Sequence, residues 1–463
     1  MSDVATENTE YHNGSLWFDG LDEPPASELQ PLPGNVDVAI VGGGYTGLWT
    51  AYYLKRAEPA LNVAVIEAEV AGFGASGRNG GWCIGAAWGL ESLLENPQSR
   101  SRGMALQRAL FDTVAEVGRV CQAENIDCHY AQGGSLRVAS TGFHADRQRR
   151  DVERLHGLGF TEQDYRWLET DAARSRINLA TIHGAVHFSH CAVIQPARLV
   201  RGLAQTVRAQ GTLLLEQTPV TAIEPGRVTT DRGTLRARRV LRATEGYTAS
   251  LRGQRRAMLP IYSMMVATEP LPATVWDDIG LHERESFGDD RRVVMYGQRT
   301  LDGRLAFGGR AGYAFASRRR RTVPADDGKV RRVGELLYQL FPQIAGYRLT
   351  HGWGGVLGVP RHWRPCVSYD RNSGLGWAGG YVGEGVAASN LAARTLADLV
   401  LGHESARTEL PWVEDVPRNW EPEPLRWCGA KAIEFLGDRA DQAELRHNRP
   451  SRFWGGLFNA LVG

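Results

Sequence analysis

Two hydrophobic rhythms alternate along this chain. Residues 36–41 (VDVAIV) are a short β-branched run, the pattern of a strand buried on both faces. Residues 46–56 repeat at helical spacing, with Leu48, Ala51, Tyr52 and Lys55 about one turn apart. Residues 63–66 form a second apolar run, so the segment predicts a strand–helix–strand unit. Further on, 90–130 reads as helix, 133–140 as strand, and DRQRRDVERLHGLG as a charged, solvated helix. Residues 194–224 predict a helix opening near Pro196 and a strand ending near Val220. Residues 238–248 predict a buried strand running into a glycine turn, and 258–310 a set of strands. A basic loop and a helix follow, and the tail from about 412 reads as helical and partly apolar. Residues 1–35, rich in proline and acid, read as an extended lead-in.

Length and charge narrow this picture. The 463 residues suggest two or three domains of ~150 residues. A net charge of +1 points to neither nucleic acid nor membrane. The arginine run at 318–321 lacks interleaved aromatics and reads as a solvated loop. The six cysteines are scattered without zinc spacing, which favours a reducing, cytoplasmic setting and no metal. The N-terminus lacks a signal-peptide pattern, and no apolar run is long enough to span a bilayer.

The chemistry begins at Gly42, Gly44 and Gly47, a G-x-G-x-x-G that follows a strand and opens a helix. Glu67 stands twenty residues after Gly47, at the end of the next strand. In that context the pattern is a dinucleotide fingerprint. Gly42 permits the tight turn, Gly44 lets backbone approach a pyrophosphate at the helix N-terminus, and Gly47 lets helix pack on strand. Glu67 is placed to accept from ribose hydroxyls and disfavours a 2′-phosphate. A second match, Gly374, Gly376 and Gly379, follows a turn sequence and is discounted. One dinucleotide site argues against reductases that use flavin and NAD(P)H through two such domains. The glycine-rich loop GFGASGRNGGWCIG (72–85), Val220, and the small-residue helix after Gly383 and Gly385 select FAD. A helix N-terminus aimed at the flavin would stabilise the reduced ring.

These segments, with QPARLVRGLA, RATEGYT, WGG…RPCVSYD and GGYVGEGVAASN, resemble the D-amino-acid-oxidase-type FAD oxidoreductases over residues 36–402. The resemblance is greatest to the gamma-glutamylputrescine oxidase branch. It implies an α/β fold: a Rossmann-type FAD-binding domain of the glutathione-reductase-like kind, with an inserted α+β substrate domain on a mixed sheet. The FAD domain would comprise 36–89, 191–258 and 350–411, the substrate domain 90–190 and 259–349, and 412–463 would be a helical extension. By position, the cofactor-binding residues would be Gly42, Gly44, Tyr45, Thr46, Gly47, Glu67, Ala68, Gly74, Ser76, Arg78, Asn79, Gly80, Gly81, Val220, Thr244, Gly246, Trp353, Gly354, Gly383, Glu384, Gly385 and Val386.

The resemblance also implies oxidation of the C–N bond of a small-molecule amine or amino-acid-like compound. A hydride passes to flavin N5, the imine hydrolyses, and O2 or another acceptor takes the electrons. The catalytic candidates are His351, Trp353, Tyr262, Tyr296 and Glu384, with Trp82, Trp88 and Tyr381 as further pocket walls. An aromatic, dry pocket favours the neutral amine. The alternative is a monooxygenase or biosynthetic desaturase reduced by a partner.

Three departures from the family stand out. D-amino-acid and glycine oxidases grip a substrate carboxylate with arginine at the place held here by Leu357, and an apolar residue cannot replace that clamp. Arg299, Arg310, Arg361 and Arg364 are possible substitutes, more commonly structural. Sarcosine-type oxidases place a lysine near the flavin at about Ala306, whereas the three lysines here are Lys55, Lys329 and Lys431. No position matches a covalent flavin link, so FAD is expected to be non-covalent. Cys83 reads as a buried, inert thiol.

Overall fold

The computed structural model describes residues 14–19, 21, 29–318 and 320–462. Its first sheet is centred on Asn35–Val41, where the apolar run buries both faces. Val63–Ile66 pairs with it in parallel on one side (Val41 beside Ile66) and Gly233–Arg242 on the other (Val41 beside Arg242). Leu213–Leu215 extends the sheet beyond Val63–Ile66, and Leu375–Gly379 extends it beyond Gly233–Arg242. Helix Tyr45–Ala57 covers one face together with Pro196–Ala209 and Gly385–Leu401, burying Leu48, Trp49, Tyr52 and Leu391. Gly47 makes the closest approach: a side chain there would collide with the carbonyl of Gly42.

The second sheet has eight strands among the described residues. Leu349–Val359, Leu259–Thr268, Leu305–Tyr313, Met295–Arg299 and Ser286–Asp289 run antiparallel in that spatial order. Ser135–Val138 then pairs in parallel, and Ala185–Phe188 and Tyr165–Leu168 complete the sheet. One face packs against helix Gly328–Leu340 through Val330, Val333 and Leu337. The fold is therefore the expected α/β architecture with a mixed second sheet.

Several local expectations change. Residues 350–359, expected with the first unit, pair in the second sheet. The strand expected to end near Val220 instead begins there, as Val220–Glu224, because Leu213–Leu215 ends earlier and residues 216–219 turn the chain. The segment 90–130 splits into Leu90–Glu95 and Arg100–Ala123 with a coil after it. Part of the expected lead-in is structured: Leu16–Asp19 is a helical turn with Trp17 buried, while residues 1–13, 20 and 22–28 lie outside the described residues. The tail forms two helices, Leu425–His447 and Arg452–Val462. No helix among the described residues is long and apolar enough to cross a membrane.

Candidate active site

A cavity of about 690 Å³ opens where the central parallel strands end, and Val41, Ile66, Ala243 and Thr244 lie on its wall. This is the position at which open α/β sheets hold ligands, and the volume falls in the roughly 300–1,000 Å³ range of ligand cavities. Gly42, Gly44, Tyr45, Thr46, Glu67 and Ala68 line one end. The loop after the second strand continues the wall with Gly74, Ser76, Arg78, Asn79, Gly80 and Trp82. Val220 and Thr244 lie on the wall too, as do Gly383, Glu384, Gly385 and Val386. Tyr296, Leu357, Trp88 and Tyr381 complete the apolar part.

The glycine turn is held open by few side chains. Gly42 has a φ of 114°, in the region that favours glycine. A Cβ on Gly44 would approach Ser76 Oγ to 2.8 Å. Helix Tyr45–Ala57 has no side-chain cap at Gly44, and Ser76 Oγ accepts from Tyr45 N at 2.9 Å. Glu67 Oε2 accepts from Gly43 N at 2.7 Å and Oε1 from Glu69 N at 3.0 Å. Burial pushes the Glu67 carboxyl up to about 7. Helix Gly385–Leu401 also begins at the cavity without a side-chain cap, which leaves first-turn N–H groups without intrahelical partners.

Arg78 is the buried cation of the wall, 5% exposed. Its Nη1 donates to Arg321 O at 2.9 Å, and its guanidinium carbon lies 4.3 Å from the Phe73 ring centroid. Its Nε has no hydrogen-bond partner, and burial lowers its pKa. An orphaned donor, an uncapped helix N-terminus and a glycine cradle facing Glu67 fit a ligand with pyrophosphate and ribose.

Other expected residues lie off the cavity. Trp353 is buried behind the loop: its Nε1 donates to Arg78 O at 2.9 Å, and it meets Trp17 edge-on at 5.8 Å. His351, two residues earlier on that face of the strand, pairs with Asp19 at 2.7 Å and Thr350 at 2.8 Å. Strand alternation explains Gly354 and Tyr262. A Cβ on Gly354 would meet Met264 and Val323 in the opposite core, and Tyr262 packs there while accepting from Arg320 N at 2.6 Å. Gly355 and Ser263, their neighbours, line the cavity instead. A Cβ on Gly246 would meet Val356, and Gly81 faces Gln298 and Ile194, so neither reaches the wall. Asn79 lines the cavity, but its amide donates to Ala75 O at 3.1 Å and Ser76 O at 2.9 Å within its own loop.

The discounted glycine triplet belongs to an antiparallel hairpin, Cys366–Asp370 with Leu375–Gly379, away from the cavity. Arg361 pairs with Glu421 at 3.0 Å, Arg364 with Asp415 at 2.7 Å, and Arg299 lies 4.5 Å from the Trp276 ring. The side chain of Arg310 lies outside the described residues. Ala306 is buried beside Met265 and Trp353, and no lysine lines the cavity among the described residues. Cys83 is buried, and burial raises its thiol well above the ordinary range.

Two features escaped the sequence reading. Glu245, in the motif RATEGYT, accepts from Gly380 N at 2.7 Å, Gly358 N at 3.1 Å and Tyr381 N at 3.4 Å. It ties the turn after Gly233–Arg242 to two other wall segments, and burial pushes its carboxyl up to about 7. Its motif was visible, but its partners are more than a hundred residues away. Arg320 and Arg321, read as a solvated loop, line the cavity. Arg321 pairs with Glu69 at 2.9 Å and Arg320 with Asp327 at 2.5 Å.

Residues 37–399 match the family described as FAD dependent oxidoreductase, DAO. The chain is 31% identical to the probable oxidoreductase OrdL of Rhizobium meliloti (strain 1021) over 84% of this chain and 89% of that protein. It is 29% identical to gamma-glutamylputrescine oxidoreductase of Escherichia coli (strain K12), over 79% and 84% respectively. Among solved structures, glycine oxidase from Geobacillus kaustophilus superposes with a TM-score of 0.67 at 22% identity, covering 81% of this chain and 96% of that one. L-proline dehydrogenase from P.horikoshii gives 0.65 at 18% identity, covering 82% and 96%. Fold, cavity and family match agree: the chain belongs to the DAO family of FAD-dependent oxidoreductases.

Proposed function

We propose that this enzyme oxidises the C–N bond of an amine that it does not hold by an α-carboxylate clamp. The observation that carries the reading is Leu357 on the cavity wall beside Val356 and Gly355, at the place where the resemblance to D-amino-acid and glycine oxidases implies a carboxylate-gripping arginine. Bound FAD supplies the hydride acceptor for the carbon next to the amine nitrogen. Glu67 would accept from the ribose hydroxyls. Gly42, Gly44 and Thr46 would leave room for the pyrophosphate, and Ser76, Arg78 and Gly80 would lie along the rest of the cofactor. Arg78 would satisfy its orphaned Nε there. The N-terminus of Gly385–Leu401 would favour negative charge on the reduced ring.

Trp82 and Tyr296, with ring centroids 5.5 Å apart, would form an apolar wall that favours the uncharged amine. The imine then hydrolyses to a carbonyl compound and an amine. The relative named gamma-glutamylputrescine oxidoreductase supports this substrate class and this branch. O2 or another carrier would reoxidise the cofactor. Five of the six free cysteines are buried, which supports a reducing compartment, the cytoplasm.

Anaerobic mixing of the yellow holoenzyme with a panel of amines and amino acids tests the reading. Bleaching by amines lacking an α-carboxylate is expected. Bleaching only by NAD(P)H, or only by simple α-amino acids, would overturn it. Flavin released intact by acid precipitation is expected if the attachment is non-covalent.

A further inference from the structure

Helix Arg452–Val462 lies beyond the family-matched residues and is apolar on both sides. Its inner side is already used. Trp454 packs edge-on against Phe435 of Leu425–His447 at 6.1 Å, and Phe458 lies beside Gly437 and the Arg292 guanidinium. Its outer side carries Phe453, Leu457 and Leu461, spaced four residues apart and 66%, 43% and 44% exposed. An apolar stripe at helical spacing on a helix whose other side is already packed has a cover of its own.

The charge around the stripe identifies the cover. Arg452 opens this helix, Arg449 lies in the turn before it, and Arg446 and His447 end helix Leu425–His447; all four are exposed. None of the three arginines makes an ion pair among the described residues. The last acid, Glu444, is buried and engaged by Arg292 at 2.8 Å. From 445 to 463 the sequence contains no acid. A second copy of the chain would offer the stripe a matching apolar face but no acid from this segment for the arginines. A bilayer with anionic headgroups offers both, with acyl chains for the stripe and phosphates for the guanidiniums. The aromatic Phe453 stands at the cationic end, where interfacial helices carry such rings.

We infer that this C-terminal helix docks the enzyme in the plane of an anionic lipid surface without spanning it. The test is flotation of the full-length holoenzyme with phosphatidylcholine vesicles made with and without phosphatidylglycerol. Binding to the anionic vesicles on the order of a hundredfold tighter than to neutral ones is expected, weakening with salt. The Phe453→Ser/Leu457→Ser/Leu461→Ser variant should keep the flavin spectrum and turnover yet lose flotation. An Arg446→Gln/Arg449→Gln/Arg452→Gln variant should lose the preference for anionic lipid. Three outcomes overturn the inference: no flotation at low salt, equal binding to both vesicle types, or flotation unchanged in the stripe variant. A wild-type dimer in solution that the serine variant converts to monomer, without vesicle binding, would assign the stripe to a second copy instead.

Discussion

Glu67 Oε2 and Gly43 N are joined by a 2.7 Å hydrogen bond, so the carboxylate proposed for the ribose reaches into the glycine turn proposed for the pyrophosphate. This links cofactor binding to pH. Glu67 has its pKa raised by burial to about 7, well above the ordinary carboxylate. Accepting from ribose hydroxyls favours the ionised form, so FAD binding below about pH 7 releases a proton. FAD affinity should fall as pH drops through 7, by up to about tenfold per pH unit. Fluorescence titration of the apoenzyme across that range measures it, and the slope should flatten in Glu67→Gln.

The same raised values predict the direction of apoenzyme stability. Between the ordinary carboxylate range and about 7, folded Glu67 and Glu245 hold protons that the unfolded chain has released. Their contribution is therefore most favourable at low pH and is lost as pH rises toward 7. Thermal melts of the apoenzyme against the Glu67→Gln/Glu245→Gln protein should converge at the acid end and separate toward neutrality, with the wild type the less stable.

Glu245 also ties three wall segments. Glu245→Ala would leave buried N–H groups of Gly358 and Gly380 without their acceptor, at about 1–3 kcal/mol each. Denaturant melts should show a loss of about 3 kcal/mol. Glu245→Gln keeps an acceptor oxygen and carries no buried charge, so it should escape most of that loss.

Gly80 lies against Tyr296, and any Cβ there would collide with that ring. Gly80→Val should push Tyr296 aside or shift the loop, giving protein purified with little flavin or a displaced flavin absorption band. A variant with wild-type spectrum and affinity would show that this loop does not contact the cofactor.

Leu357→Arg should add the missing carboxylate clamp. A charged hydrogen-bonded pair contributes about 1.5–3 kcal/mol, so KM for simple α-amino acids should fall roughly 10- to 100-fold, with turnover of other amines reduced. Steady-state kinetics on both substrate groups decide it.

Local periodicity and spacing were enough to read the first strand, the glycine turn, the helix from Tyr45 and the acidic residue at 67. Each depends on neighbours within a few turns of chain. The loop from Gly72 was legible for the same reason, since its glycines advertise close backbone approach. Trp353 and His351 were misplaced because their exposure depends on what covers that strand. The cover is Trp17 and Asp19, more than three hundred residues away. Gly354 and Tyr262 fell on the wrong face because alternation sets a parity whose sign only sheet pairing decides. Glu245, Arg320 and Arg321 join the site through partners remote in sequence, and composition alone made the arginines look like a solvated loop. The sequence by itself therefore determined the dinucleotide-binding unit and the chemical class. Tertiary packing decided which side chains face the cavity, because burial and long-range pairing are properties of the assembled sheets.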